Sequence, residues 1–583
     1  MELRDCFKDE LQYIKQLAAE RANQNSTFGE FLQSSENDAD VEFLFEHFAF
    51  LMAKLRQNVD DAFPEITQNL LSRVWPTPIR PIPSTSILNL RPKSDEIYRL
   101  MKGSRVEADS GNDETCTYQL ARDVKVVPCL IRDCTLVNTP TNGMLKLKVE
   151  WQGSMTKQGE WVTEPFTLFL SPDQQIAGLL QLWLQQYLEK VSVVCGDKRF
   201  SLSNRVIQTF TPDAESLILP LDIPLFWRLQ LLQQYFHLPH VNDFITIDFS
   251  SELDAVLLNE DRSFELHFEF NQPLLTDKTI DVTTAFFPNC VPVINLCQRQ
   301  PQIVDFVKGQ STYQYQNEVN HNVYQIKSIY SILESGVRNS RGDSVNYLPI
   351  TQFTTNNFDD SQIYYQCMLE HNVKDEAQTL ITFIDSQGKR IVDFPNKTFF
   401  CDVVVTNGQL CDGLDIGDIC MPTLDISNSL NFSNITRPTH EIAPLADSHN
   451  HWPIISHLSL SPMFLKDLAA IKQLLTDLNF HIHTSAPLQQ LSESRLSGMV
   501  SLKTQTLDWI WHQGVMKRGL EMVLTLNPDN FSDDGDMYQF GFILGNVLPY
   551  CMTKNNFLMM KIVNSKTQRL WSLAPILGGR EQI

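Results

Sequence analysis

The stretch from Val41 to Ser84, VEFLFEHFAFLMAKLRQNVDDAFPEITQNLLSRVWPTPIRPIPS, limits this chain more than any other part of it. Val41, Leu44, Phe48, Leu51, Leu55 and Val59 recur at steps of three and four, which is one face of an α-helix. Phe43, Phe50 and Ala53 lie off that stripe, and Phe45 and Met52 widen it. Burying one Phe is worth roughly 1.5–3 kcal/mol, so Phe43, Phe45, Phe48 and Phe50 together involve about 6–12 kcal/mol as an upper bound. A surface helix covers one stripe only, and this one needs cover on more than one side. Two readings are open: a helix inside the core of its own domain, or a helix in a bundle shared with another subunit.

Pro76, Pro78, Pro81 and Pro83 follow. Each fixes its own φ and pushes the preceding residue toward extended geometry. One reading is a semi-rigid polyproline-like strut that sets the helical arm at a distance. The other is a helix stop and a turn into a first strand over Ser86 to Leu90.

The chain has 583 residues, which predicts several domains. Its 47 basic and 69 acidic residues give a net charge of −22, with no dense basic tract. That argues against nucleic-acid binding and suits basic protein partners. No apolar run reaches the length of a membrane span. The start, MELRDCFKDELQYIKQLAAE, is charged and helical rather than a signal peptide, with Leu3, Phe7, Leu11, Ile14 and Leu17 on one stripe. The twelve cysteines include no C-x-x-C pair, and Cys129 and Cys134 are spaced too loosely for a zinc signature. The expectation is a reduced, cytoplasmic chain without a cofactor.

The pattern predicts an α+β multidomain fold. Residues 1–84 form an N-terminal helical arm and proline strut, with helices over roughly 3–21 and 39–60 and a short one after Pro64. Residues 85–330 form a β-rich domain with two inserted helices, near 172–189 and 224–236. Strands are expected at VKVVPCLIRDC, MLKLKVEWQG, FTLFL, DFITIDFS and FELHFEFN. Residues 331–450 form a second β-rich domain, with strands at IYYQCML, LITFID and FFCDVVVTN and an irregular connector from Met421 to Asn450. Residues 451–583 form a C-terminal α/β domain. A strand near Pro453–Leu460, a helix over MFLKDLAAIKQLLTDL, strands at MVSLKTQ and EMVLTLN, a helix over about 537–552 and a strand at FLMMKIVN make a βαββαβ, ferredoxin-like order.

No phosphate-binding loop, dinucleotide fingerprint, nucleophile elbow or H-E-x-x-H occurs. His449, His451 and His457, with His481 and His483, include two H-x-H pairs that on a strand would share a face, as a metal site requires. A metal-dependent hydrolase is the reading this would support. Polar loop and strand-end histidines account for the same residues. Asp533, Asp534 and Asp536 lack the spacing and closing Glu of a calcium loop and fit a solvated turn. Arg341-Gly342-Asp343 fits a polar loop, and Asp60-Asp61 are adjacent on a helix and point apart. The balance favours an assembly component over an enzyme.

Several runs resemble, in order, the TssF family of type VI secretion baseplate subunits, also called VasA or ImpG. They are Val41-Glu42, Phe48 to Leu51, Asp60-Asp61, Phe63 to Thr67, Arg80 to Ser84, LQQYFHLP at Leu232–Pro239 and PVINL at Pro292–Leu296. Thr406 to Leu410, WPIISHLSL at Trp452–Leu460, Arg518-Gly519, Gly545 to Leu548 and Asn555 to Phe557 continue the series. Trp75-Pro76-Thr77-Pro78 and Cys297 depart from the family pattern. The resemblance implies a non-catalytic wedge protein in which two copies flank one TssG. That trimer recruits TssK and TssE, and wedges ring the VgrG hub in the cytoplasm beneath a membrane complex. On this reading Phe7, Leu11, Leu17, Phe43, Phe50 and Arg80 are partner-binding residues, and a run such as S-H-L-S-L at His457 is structural. A wedge protein of another contractile tail-like particle is the alternative.

Overall fold

The computed structural model describes Leu11, residues 47–50, and residues 64–579 apart from 110–113, 154–164, 251–262, 275–284, 299–300, 316–320, 333–343, 351–361, 372–376, 395–397, 427, 447, 459–461, 480–485 and 512–513. The helices expected over 3–21 and 39–60 therefore lie outside the described residues, apart from Leu11 and His47 to Phe50, which are helical. So do Asp60-Asp61, Arg341-Gly342-Asp343, His481 and His483.

The architecture is mixed α+β and richer in strand than in helix. Helix α1 (Pro64–Val74) leads into a 3-10 turn at Thr77–Ile79 and then the strand Thr85–Pro92. This strand is next to the edge of a six-stranded sheet, antiparallel to Cys290–Ile294 on one side and to the edge strand Leu430–Asn434 on the other. Three distant parts of the chain meet there. The proline run is not a free strut. Pro76, Pro78, Pro81 and Pro83 are buried, and Ile82 bridges Ile442 through N–H···O bonds of 2.9 and 3.0 Å. Proline cannot donate to a ladder, so the segment reaches its sheet through turn and bridge geometry.

A five-stranded sheet carries Cys129–Asn138, Gly143–Trp151, Leu188–Cys195, Lys198–Leu202 and Ser263–Phe270. Along Gly143–Trp151 every second residue is buried, the alternation of a sheet with one face on a core. Helices α2 (Gln174–Leu182) and α3 (Trp227–His237) share its hydrophobic core. The second β region centres on Thr398–Thr406 and Asn322–Ile332 in an eight-stranded sheet. Its core is aromatic: Phe306 stacks on Phe394 at 3.8 Å, with Tyr313, Phe383 and Phe399 around it.

In the C-terminal part, WPIISHLSL contributes a helix, α4 (Ser448–His457), not the expected strand. Pro453 and two isoleucines read as extended, but His451, Ile454 and His457 are buried at steps of three, the helical period. Helices α5 (Leu468–Leu478) and α6 (Ala486–Ser497) follow. The sheet Met499–Ile510, Met516–Leu526, Phe557–Asn564 and Leu570–Ser572 comes next, its middle pair parallel and joined by α7 (Asp534–Val547). The βαββαβ order is thus replaced, among the described residues, by three helices and a ββαβ unit. The closest helix contact is α2 on α7, where a Cβ on Gly535 would sit 2.5 Å from the Gly178 carbonyl carbon. The largest core joins this unit to the five-stranded sheet, taking in Leu147, Phe268, Leu180, Leu231, Leu475 and Ile562.

Candidate functional site

Helix α1 wears its faces in an unusual way. Thr67 and Gln68 are 0% and 2% exposed, while Ile66 and Leu70 are 54% and 39% exposed. The buried polar groups are all used. Gln68 Nε2 donates to the carbonyls of Leu369 (3.0 Å) and Ala446 (3.1 Å), and its Oε1 accepts from the Leu369 N–H (2.9 Å). The side chain thus extends the edge of the Tyr364–His371 strand as a backbone would. Thr67 Oγ1 lies 3.0 Å from His451 Nδ1, and His451 Nε2 lies 3.1 Å from the Leu445 carbonyl. A carbonyl only accepts, so Nε2 carries the proton, and in the neutral ring Nδ1 accepts from the Thr67 hydroxyl.

Beyond α1, the Leu445 N–H donates to the Pro78 carbonyl, and Arg80 closes the junction. Its Nη1 is 2.5 Å from Asp222 Oδ2, and its guanidinium lies 5.4 Å from the centre of the Tyr324 ring. Arg80 lines a cleft of about 460 Å³ together with Gln68, Asp222, Tyr324 and Tyr365. Earlier in the chain, Ala49 is buried while Phe48 and Phe50 are exposed. Leu11 is half-buried, and Phe7, Leu17 and Phe43 lie outside the described residues.

Among the described residues no group of three or more metal-ligating side chains gathers. Positions two apart on a helix lie about 200° apart, so the H-x-H of α4 does not present one face. Both ring nitrogens of His451 are occupied within the chain, and His457 Nε2 is 2.7 Å from Asp477 Oδ2, which ties α4 to α5. Asp533 caps α7 by accepting from the Asp536 N–H at 2.8 Å, Asp536 pairs with Arg495 at 2.6 Å and Asp534 with Arg569 at 2.9 Å. Burial pushes the Cys129 and Cys134 thiols up to about 12, which disfavours the thiolate a nucleophile needs.

A cleft of about 930 Å³ is lined by Arg99, Arg122, Lys125, Thr167 and Thr246. Its carboxylates serve turns: Asp123 accepts from the Lys102 N–H and Asp213 from the Ser216 N–H. Arg122, held near 10 by burial, donates to the Ser216 carbonyl at 2.6 Å. Among the described residues no helix is long and apolar enough to cross a membrane.

The sequence reading names Arg80, quotes Ile66 and Thr67 only within the run Phe63 to Thr67, and does not name Gln68 or Leu70. The signal was present as three polar residues, Thr67 to Asn69, between two apolar ones spaced four apart. Nothing local says which pair turns inward.

A family model described as "Type VI secretion system, TssF" matches residues 1–580. The chain belongs to the TssF family. The type VI secretion system component TssF1 of Pseudomonas aeruginosa is 26% identical over 327 residues, covering 51% of this chain and 52% of that protein. The match thus spans about half the length of that relative. In a TssK-TssF-TssG baseplate subcomplex solved by cryo-electron microscopy, one chain is 21% identical with a TM-score of 0.74, over 92% of this chain and 99% of its own. A chain of a type VI secretion baseplate complex is 19% identical with a TM-score of 0.62, over the whole of both. At these identities the two structures show that this TssF-family chain shares their fold.

Proposed function

We propose that this chain is a structural, non-catalytic component of a type VI secretion baseplate wedge. The observation that carries the reading is the inversion of α1, where the polar residues Thr67 and Gln68 are buried and Ile66 and Leu70 are left uncovered, as Phe48 and Phe50 are earlier in the chain. Monomers do not leave such a stripe open without a use for it. The family match supports a baseplate role, and one structural neighbour is described as a TssK-TssF-TssG subcomplex.

In this proposal residues 1–84 act as a helical arm. Phe7, Leu11, Leu17, Phe43, Phe50 and Arg80 are the partner-binding residues, the apolar ones joining a bundle with TssG and a second copy of the chain. TssK, TssE and the VgrG hub are the further partners, and the chain works in the cytoplasm, reaching the membrane machine only through them. The segments 1–84, 85–330, 331–450 and 451–583 are its working units. Co-expression of the Phe43→Asp, Phe50→Asp chain with TssG tests the bundle. The expected result is loss of the co-purifying complex with the single chain still folded; an unchanged complex would refute it.

A further inference from the structure

The C-terminal sheet carries a hairpin that outgrows it. The strands Met499–Ile510 and Met516–Leu526 pair from Met499↔Leu526 to Ile510↔Met516. The parallel neighbour Phe557–Asn564 begins only opposite Gly519. Gly519 is required there, since a Cβ would meet the Phe557 carbonyl oxygen at 2.5 Å. Outward from Gly519 the structure is two strands and a turn closed by the Trp511 N–H on the Val515 carbonyl at 2.8 Å. Every described residue from Lys503 to Arg518 is exposed or half-buried. At the tip Trp509 is 43%, Ile510 68%, Val515 52% and Met516 69% exposed. A two-stranded hairpin alone is marginal in water, so this extension draws little stability from its own fold.

The outer side of Met499–Ile510 is the edge of its sheet, and no described strand pairs with it. Natural proteins blunt such edges with proline, several lysines or a cover. Here the strand MVSLKTQTLDWI has no proline and one lysine. The missing partner is therefore a row of backbone groups. Charge narrows it further: between Met499 and Arg518 stand Lys503, Lys517 and Arg518 against Asp508, in a chain of net charge −22.

We propose that this hairpin edge takes an extended segment of another polypeptide by strand addition, a segment with acidic residues among alternating apolar ones. Backbone hydrogen bonds along residues 503–510 hold it, and Leu507 and Trp509, on one face of the strand, pack its apolar side chains. Tryptophan beside basic residues would also suit a bilayer surface. The open row of N–H and C=O groups decides against lipid, because hydrocarbon cannot satisfy it. This surface lies on the sheet of residues 499–572 and does not depend on the reading given to α1.

The test places a photo-crosslinking residue at Thr504, Thr506 or Asp508 in turn, in the full chain expressed with its own secretion gene cluster. The expected products step along one extended segment of one partner, two residues at a time in one direction. A second arm mixes the purified chain with vesicles of phosphatidylethanolamine and phosphatidylglycerol and follows tryptophan emission, which should not change. Thr506→Glu, at an exposed position and repelling an acidic segment, should keep the melting temperature and lower the cross-link yield from Thr504 or Asp508 about tenfold. If that variant melts early, Trp509→Ser repeats the measurement at the tip. Absent cross-links, cross-links without the two-residue step, or vesicle binding through the hairpin would each overturn the proposal.

Discussion

Helices α1 and α5 have the same length, 11 residues, and are held in opposite ways. Helix α5 starts at Asp467, whose side chain accepts from the Ala469 N–H at 2.9 Å, and it buries Ile471, Leu474, Leu475 and Leu478. Its hold is apolar area removed from water, which is non-directional. Helix α1 buries Thr67 and Gln68 beside Leu71, and its hold includes directed hydrogen bonds to carbonyls far away in sequence. Helix α5 is complete once packed. Helix α1 satisfies the chain with its polar side and leaves Ile66 and Leu70 exposed.

The contrast can be broken first at α5. Leu475→Ala should cost about 2–5 kcal/mol, because a fully buried leucine leaves a cavity as well as losing transfer energy. Chemical denaturation checks this, and a loss under about 1 kcal/mol would mean the site collapses around the gap.

A pH effect comes next. Gln233 of α3 donates to the Leu478 carbonyl at the end of α5, and His237 ends the same helix. Burial pushes His237 from its ordinary 6.5 down to about 4. The unfolded chain therefore binds this proton at a higher pH than the folded one. Stability from this residue is full above about 6.5 and falls as pH drops toward about 4, by at most about 1.4 kcal/mol per pH unit. His237→Gln should flatten that slope, and denaturation curves taken across the interval measure it. An unchanged slope would assign the effect to another group.

Helix α1 should respond differently. Gln68→Leu is close in volume and more apolar, yet it leaves the Leu369 N–H and two carbonyls without their partner, at about 1–3 kcal/mol. Amide exchange at Leu369 should speed up along with the lost stability. A stabilised variant would show that apolar packing, not the clamp, seats α1.

These two helices also mark what could be read in advance. The apolar stripe of α5 is visible because burial there follows the helical period. Thr67 meets His451 and Gln68 meets Leu369 across 384 and 301 positions, and no local pattern encodes a contact of that range. Helix α4 was misread because Pro453 and the isoleucines favour extended backbone locally, while buried His451 and Ile454 needed a helix. The strands Met499–Ile510 and Met516–Leu526 were legible as strands. Their projection was not, since it depends on where the neighbouring strand begins.

The smallest expected effect on the isolated chain is the most telling one. Ile66→Asp with Leu70→Asp places two charges where water already reaches, so stability should change by no more than about 0.5 kcal/mol. If the uncovered stripe of α1 is a docking face, the same double variant should fail to co-purify with TssG although it melts as the parent does. Each carboxylate would otherwise be trapped against apolar partner surface without a counter-charge. A variant that melts early would mean the stripe is covered within its own chain, and α1 would then resemble α5 after all. A variant that folds and still binds would move the interface off this helix and onto the arm that precedes it.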